Sequence, residues 1–187
     1  MATKDVAILV GSLRKGAFTR ILARALIELA PDTLKLSIVE IGDLPLYNQD
    51  LEEAPPAQWV AFRDRVRPVD AVLFVTPEYN RSMPAALKNA IDVGSRPYGM
   101  SVWSGKPGAV LSASPGAVGG FGANHHLRQS LVCLNVPAMP QPETYIGGVD
   151  QMIDAEGKVV NPSTLEHLTK FMNAFVVWIE HNTCPDN

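Results

Sequence analysis

Ala71-Val72-Leu73-Phe74-Val75, then Thr76-Pro77-Glu78-Tyr79-Asn80-Arg81-Ser82-Met83-Pro84, then Ala85-Ala86-Leu87-Lys88-Asn89-Ala90-Ile91-Asp92 follow one another without a break. The first is a short, unbroken apolar run, the pattern of a strand covered on both faces. The last is helical, with Pro84 near its first turn, where a missing N–H is harmless. Between them a carboxylate, an aromatic ring and an amide are held at the carboxyl end of a buried strand. In open α/β sheets, ligands bind at that edge.

The same alternation runs along the chain. Strands are predicted at roughly Val6–Val10, Leu34–Ile41, Ala71–Val75, Gly108–Ala113 and Pro137–Ile146. Helices are expected at Arg20–Ala30, Ala57–Val66, Ala85–Val93, about Asn124–Leu134 and Thr164–His181, the last with Pro162-Ser163 as its start. Trp59, Phe62, Met172 and Phe175 fall at helical spacing and read as core. Strand and helix in alternation imply right-handed crossovers and a parallel sheet with helices on both faces. The fold expected is α/β, a flavodoxin-like three-layer sandwich around a five-stranded parallel sheet in order 2-1-3-4-5. Its switch point lies between strands one and three, so the loops after Val10 and Val75 should sit side by side. Leu44–Pro56 and Arg96–Pro107 read as surface excursions.

A chain of 187 residues without an internal repeat or a long linker is read as one domain, 1–187. Hydrophobic content of 47%, charged content of 19% and a net charge of −3, with Lys and Arg spread evenly, point to no nucleic-acid or membrane partner. The opening apolar run is too short for a signal peptide, and no later run is long enough for a membrane span. Cys133 and Cys184 form no CxxC pair and suggest no disulfide framework, so a cytoplasmic location is expected.

Gly11-Ser12-Leu13-Arg14-Lys15-Gly16-Ala17-Phe18-Thr19-Arg20 joins the first strand to the first helix. A helix start, hydroxyls and several cations favour an anion there. Neither GxGxxG nor GxxxxGK[ST] is present, so a single terminal phosphate suits the loop better than a pyrophosphate. Taken alone, the loop is read equally well as a helix start with a solvated basic patch. A third loop, Ser112-Ala113-Ser114-Pro115-Gly116-Ala117-Val118-Gly119-Gly120-Phe121-Gly122, allows backbone to approach a flat ligand closely, although taken alone it reads more readily as a flexible loop.

These three segments together resemble the NAD(P)H-dependent FMN reductase family, in particular its bacterial quinone and chromate reductase branch. The Gly-Ser-Leu-Arg and Pro-Glu-Tyr-Asn motifs carry the resemblance, which spans almost the whole chain. It implies non-covalent FMN, NADPH or NADH as donor, and two-electron reduction, by hydride transfer through flavin N5, of quinones or similar acceptors such as chromate, azo compounds or free flavin. Carried over by position, Ser12, Arg14, Phe18 and Thr19 would hold the FMN phosphate. Pro77, Glu78, Tyr79 and Asn80 would line the isoalloxazine. Ser114, Gly116, Gly119 and Gly120 would close over its pyrimidine side and donate hydrogen bonds. The resemblance implies a homodimer, with a homotetramer as the larger option. Arg81 stands where the branch commonly carries an aromatic, and Gly122 and His125 where it can have an Arg and a Tyr used between subunits.

No catalytic side chain and no metal is expected, since the flavin carries the chemistry. His125 and His126 point to different sides of a helix and read as surface or interface residues. Cys133 reads as a buried structural thiol, and Glu78 as a positioning group ahead of an acid or base. Competing readings are a flavodoxin-type electron carrier and a flavin-binding regulatory protein without nicotinamide turnover. Arg14, Lys15, Arg20 and Arg81 argue against the more acidic surround of a carrier.

Overall fold

The computed structural model describes residues 3–183; Cys184 lies outside the described residues. Strands β1 (Lys4–Val10), β2 (Leu34–Val39), β3 (Ala71–Thr76), β4 (Gly108–Ser114) and β5 (Thr144–Gly147) form one parallel sheet in the order β2-β1-β3-β4-β5. Helices α1 (Phe18–Leu29), α2 (Ala57–Val66), α3 (Ala85–Gly94), α4 (Phe121–Cys133) and α5 (Pro162–Asn182) cover it. This is the expected flavodoxin-like order.

The unbroken apolar strands follow from having a core on each face. Val6, Ile8 and Val10 of β1 pack with α1 and α5, while Ala7 and Leu9 pack with α2, α3 and α4. In β3, Ala71, Leu73 and Val75 serve the first core and Val72 and Phe74 the second. A strand buried on both faces reads as a near-continuous apolar run. The buried polar residues near the ends of β3 and β4, Thr76 and Ser112, have their hydroxyls hydrogen-bonded. Val10 pairs with Val75, and Val75 with Leu111, so the carboxyl ends of β1, β3 and β4 finish level. The chain leaves β1 towards β2 on one side and returns to β3 on the other, which opens the crevice between them.

Both excursions are more firmly held than their composition suggests. The Arg96–Pro107 segment carries Trp103, fully buried, whose Nε1 donates to the Ile91 carbonyl at 2.9 Å. Burying a ring of that size contributes at most roughly 4–6 kcal/mol. A Cβ on Gly94 would lie 2.5 Å from the Trp103 ring, so the helix end needs glycine there. The Leu44–Pro56 segment is tied to α3 by Asn89, which accepts from the Tyr47 N–H at 2.8 Å and donates to the carbonyls of Leu44 and Pro45.

Three expectations are corrected, and the expected start of α5 at Pro162 holds. The strand expected over Pro137–Ile146 contracts to Thr144–Gly147, with only a bridge from Ala138 to Gly108 upstream. Pro137, Pro140 and Pro142 bring no N–H to a ladder. Helix α4 begins at Phe121 because Gly120, with φ +78°, turns the chain there. Cys133 is exposed, since Leu127 and Leu131 take the core face of α4. Helix α5 is capped by Asn161, whose side chain accepts from the Thr164 N–H at 3.0 Å. Among the described residues no helix is long and apolar enough to cross a membrane.

Candidate active site

A cavity of about 370 Å³ opens where β1, β3 and β4 end. Three connections build its wall: Ser12, Arg14, Ala17, Phe18 and Thr19; Pro77, Glu78 and Tyr79; and Ala113, Ser114 and Pro115. The expected residues Ser12, Arg14, Phe18, Thr19, Pro77, Glu78, Tyr79 and Ser114 are thus brought together. Asn80, Gly116, Gly119 and Gly120 are not in the wall. Gly11 lets loops one and two meet, since a Cβ there would lie 2.9 Å from Thr76 Oγ1 and 3.1 Å from the Pro77 ring.

Loop one keeps polar capacity in reserve. No side chain caps α1 at Ala17; the Ala17 and Arg20 N–H groups donate to the Arg14 and Ala17 carbonyls, which leaves those of Phe18 and Thr19 for the loop. Ser12 is buried, and its hydroxyl makes only long contacts, 3.3 Å to the Tyr79 hydroxyl and 3.3 Å from the Arg14 N–H. The Thr19 hydroxyl is sealed from solvent and has no partner. Leaving such a group unpaired costs about 1–3 kcal/mol. Arg14 is exposed and lies over the Phe18 ring, 5.2 Å from its centre. Hydroxyls, a helix start and a guanidinium are the donor set a phosphate takes. Arg20 is not part of it: Glu40 accepts from both of its terminal nitrogens at 2.7 Å. Hydrogen bonding to Arg20 holds the Glu40 carboxyl below its usual range.

Loop two is fastened instead. Tyr79 and Ser82 exchange two backbone hydrogen bonds of 2.9 and 3.0 Å around Asn80 and Arg81, whose φ values are +51° and +66°. Glu78 Oε2 accepts from the Ala123 N–H at 3.1 Å, in the first turn of α4. Its Oε1 takes an Arg81 nitrogen at 3.2 Å. Ser82 Oγ bonds His126 Nδ1 at 3.0 Å. A Cβ on Gly122 would meet the Arg81 carbonyl at 2.8 Å, so glycine there permits the turn to dock on α4.

Loop three is shaped by its glycines more than it exposes them. The Gly116 N–H donates to Ser114 Oγ and the Gly119 N–H to the Gly116 carbonyl, both at 3.1 Å. Gly119, with φ +62°, lies so close to β5 that a Cβ would sit 2.6 Å from the Tyr145 carbonyl carbon.

Sequence reasoning missed Ala17, Ala113 and Pro115 in the wall, and a wider depression of about 680 Å³ beyond Pro115. Glu143, Tyr145, Gln151 and His167 line the depression. The rule that ligands gather at strand carboxyl ends applied to β5 as much as to β1 and β3. Burial, helped by a hydrogen bond with Glu143, pushes the Tyr145 hydroxyl up to about 12. His125 Nε2 lies 3.0 Å from the same hydroxyl. Among the described residues no cluster of His, Cys, Asp or Glu side chains is grouped to hold a metal ion.

The sequence model of the NADPH-dependent FMN reductases matches residues 5–151. The chain is 62% identical over 179 residues to a quinone reductase of Pseudomonas putida, covering 95% of this chain and 96% of that one. It is 46% identical over 179 residues to a 2-hydroxy-1,4-benzoquinone reductase of a Burkholderia species, covering 96% and 97%. The solved structure of FerB, a flavoenzyme NAD(P)H:(acceptor) oxidoreductase from Paracoccus denitrificans, matches with a TM-score of 0.90 at 43% identity, over 96% of this chain and 99% of that one. With sheet order, three-loop cavity and sequence in agreement, the chain belongs to the NADPH-dependent FMN reductase family and is an oxidoreductase.

Proposed function

We propose that this chain is an NAD(P)H-dependent quinone reductase that uses FMN held non-covalently in the three-loop cavity. The observation that carries the reading is the buried, unpartnered Thr19 hydroxyl beside the uncapped start of α1. Ser12, Arg14 and Thr19 bind the phosphate, and Phe18 supports the Arg14 guanidinium at that end. Pro77, Glu78 and Tyr79 position the flat ring, with half-exposed Tyr79 offering an aromatic surface, and Asn80 shapes the turn behind them. Ser114 bounds it opposite, and Gly116, Gly119 and Gly120 set the path of the third loop.

FMN, when bound, supplies the redox chemistry, taking two electrons from NAD(P)H and delivering them to a quinone. The chain binds, orients and leaves one side open. Glu78 is committed to the Ala123 N–H and to Arg81, which makes it a positioning group and not a proton carrier. Tyr79 in the cavity wall, Val118 in the third loop and Phe121 at the start of α4 are exposed and suit a flat, apolar acceptor. We extend the acceptor range to chromate, azo compounds and free flavin. We also infer a single cytoplasmic domain that pairs as a homodimer, with a homotetramer as the larger assembly.

The test is the visible spectrum of the FMN-loaded protein under anaerobic conditions. Flavin bands should bleach with NADPH or NADH and return on adding 1,4-benzoquinone. Protein that retains no FMN would overturn the cavity assignment. Bound flavin that stays oxidised with both donors would replace the enzyme by an electron carrier.

A further inference from the structure

We propose that Arg81 selects the phosphorylated donor, its guanidinium pairing with the 2′-phosphate that distinguishes NADPH from NADH. The inference rests on the reading above and deepens it.

The backbone at Arg81 gives the first reason. The Tyr79–Ser82 turn has both central residues at positive φ, the type I′ geometry whose second central position favours glycine. A residue with a Cβ in that left-handed conformation costs about 1–2 kcal/mol. Turn stability therefore does not account for an arginine there; what the arginine adds is its side chain.

The second reason is where that side chain starts from. Its base cannot swing away, because Glu78 holds the Ala123 N–H, Ser82 holds His126, and the Arg81 carbonyl rests against Gly122. The adjoining Glu78 and Tyr79 form part of the cavity wall. Only one contact restrains the guanidinium, the 3.2 Å pair with Glu78, and the side chain is 80% exposed. Exposed pairs of this kind contribute little and exchange partners readily. Four of the five guanidinium N–H groups are free to take a phosphate in a fork.

The third reason is position among the neighbouring cations: Arg14, Lys15 and Arg20 all stand on the β1–α1 side, with Lys15 exposed next to Arg14 on the phosphate-binding loop. Glu40 occupies both terminal nitrogens of Arg20. Arg14 lies on the Phe18 ring, committed to the phosphate-binding loop. Arg81 thus supplies a cation just beyond the opposite wall, in the turn that continues from Glu78 and Tyr79, fixed at its base and open at its tip.

Two measurements test this. One is the ratio of kcat/KM for NADPH to that for NADH in wild type, Arg81→Ala, Arg81→Gly and Arg81→Lys, with Lys170→Ala on distant α5 as control. The other is calorimetry of the FMN-loaded protein with 2′,5′-ADP and with 5′-AMP. The ratio should fall about ten-fold in Arg81→Ala, the scale of one charge-assisted pair, with a smaller fall in Arg81→Lys. Arg81→Gly should fall as far as Arg81→Ala although glycine suits the turn, which separates the charge from the backbone. Wild-type preference for 2′,5′-ADP over 5′-AMP should shrink in both neutral variants and in high salt. An unchanged ratio together with unchanged 2′,5′-ADP affinity, in variants that still turn over NADH, overturns the role of Arg81 alone. A wild-type protein that neither retains FMN nor is reduced by either donor overturns both inferences.

Discussion

Two walls of one cavity are built on opposite plans. The β1–α1 connection buries a hydroxyl at Thr19 with no partner, leaves the α1 start uncapped and gives Ser12 only long contacts. The β3–α3 connection is fastened at its base: Glu78, Tyr79 and Ser82 all have partners, and Glu78 and Ser82 reach across to α4, while the Arg81 guanidinium keeps a single contact. Unpaired buried donors are unfavourable in the empty protein and gain most when an anion arrives. A pinned turn has lost its conformational entropy before binding, so a flat ligand need not order it. In the FMN site proposed above, one wall would supply affinity and the other shape.

The largest effect expected from this contrast is at Thr19. Replacing it by valine keeps the volume and removes the orphaned hydroxyl. The FMN-free protein should gain stability, visible as a higher melting temperature, because an unsatisfied group is gone. FMN binding should weaken roughly 10- to 100-fold, the scale of one hydrogen bond to a charged group. Opposite signs in the two measurements are the signature. If Thr19→Val destabilises the FMN-free protein and binds FMN normally, the two walls do not differ in kind.

At the pinned wall the corresponding change is Gly122→Val. Its Cβ would fall 2.8 Å from the Arg81 carbonyl and 2.9 Å from Glu78 Oε2, both in the docked turn. Overpacking against backbone should cost about 1–3 kcal/mol in chemical denaturation. The loss should appear in the FMN-free protein as fully as in the loaded one, since the contact lies within the fold. A loss confined to the loaded protein would mean that the turn docks only when FMN is present.

The fold was legible because its central strands are buried on both faces, and β1 and β3 could be read as continuous apolar runs. Strand β5 was overdrawn for the converse reason: the apolar residues near Pro137 look like a strand, but prolines cannot complete a ladder. Cys133 was misread because Leu131-Val132-Cys133 is apolar in sequence, while the helix turns only Leu131 inward. Within the cavity, motif residues and loop order identified most of the wall. What stayed hidden was long-range and mutual. That Gly122 accommodates the turn at Arg81, or that Glu78 reaches the Ala123 N–H, depends on a contact spanning about forty positions that no local pattern encodes.

The smallest effect, and the sharpest on the turn itself, is the difference between Arg81→Gly and Arg81→Ala. Both remove the exposed pair with Glu78, which contributes about 0–1 kcal/mol. Only glycine relieves the left-handed backbone at φ +66°. Arg81→Gly should therefore stay within about 0.5 kcal/mol of wild type, and Arg81→Ala should fall about 1 kcal/mol below the glycine variant. Urea midpoints at equal slopes would read this directly. Equal stability of the two would show that the turn relaxes out of its left-handed geometry once the guanidinium is gone. In that case the pair with Glu78, and not the docking on α4, holds the shape of this wall, and the contrast with the β1–α1 loop narrows to a single salt bridge.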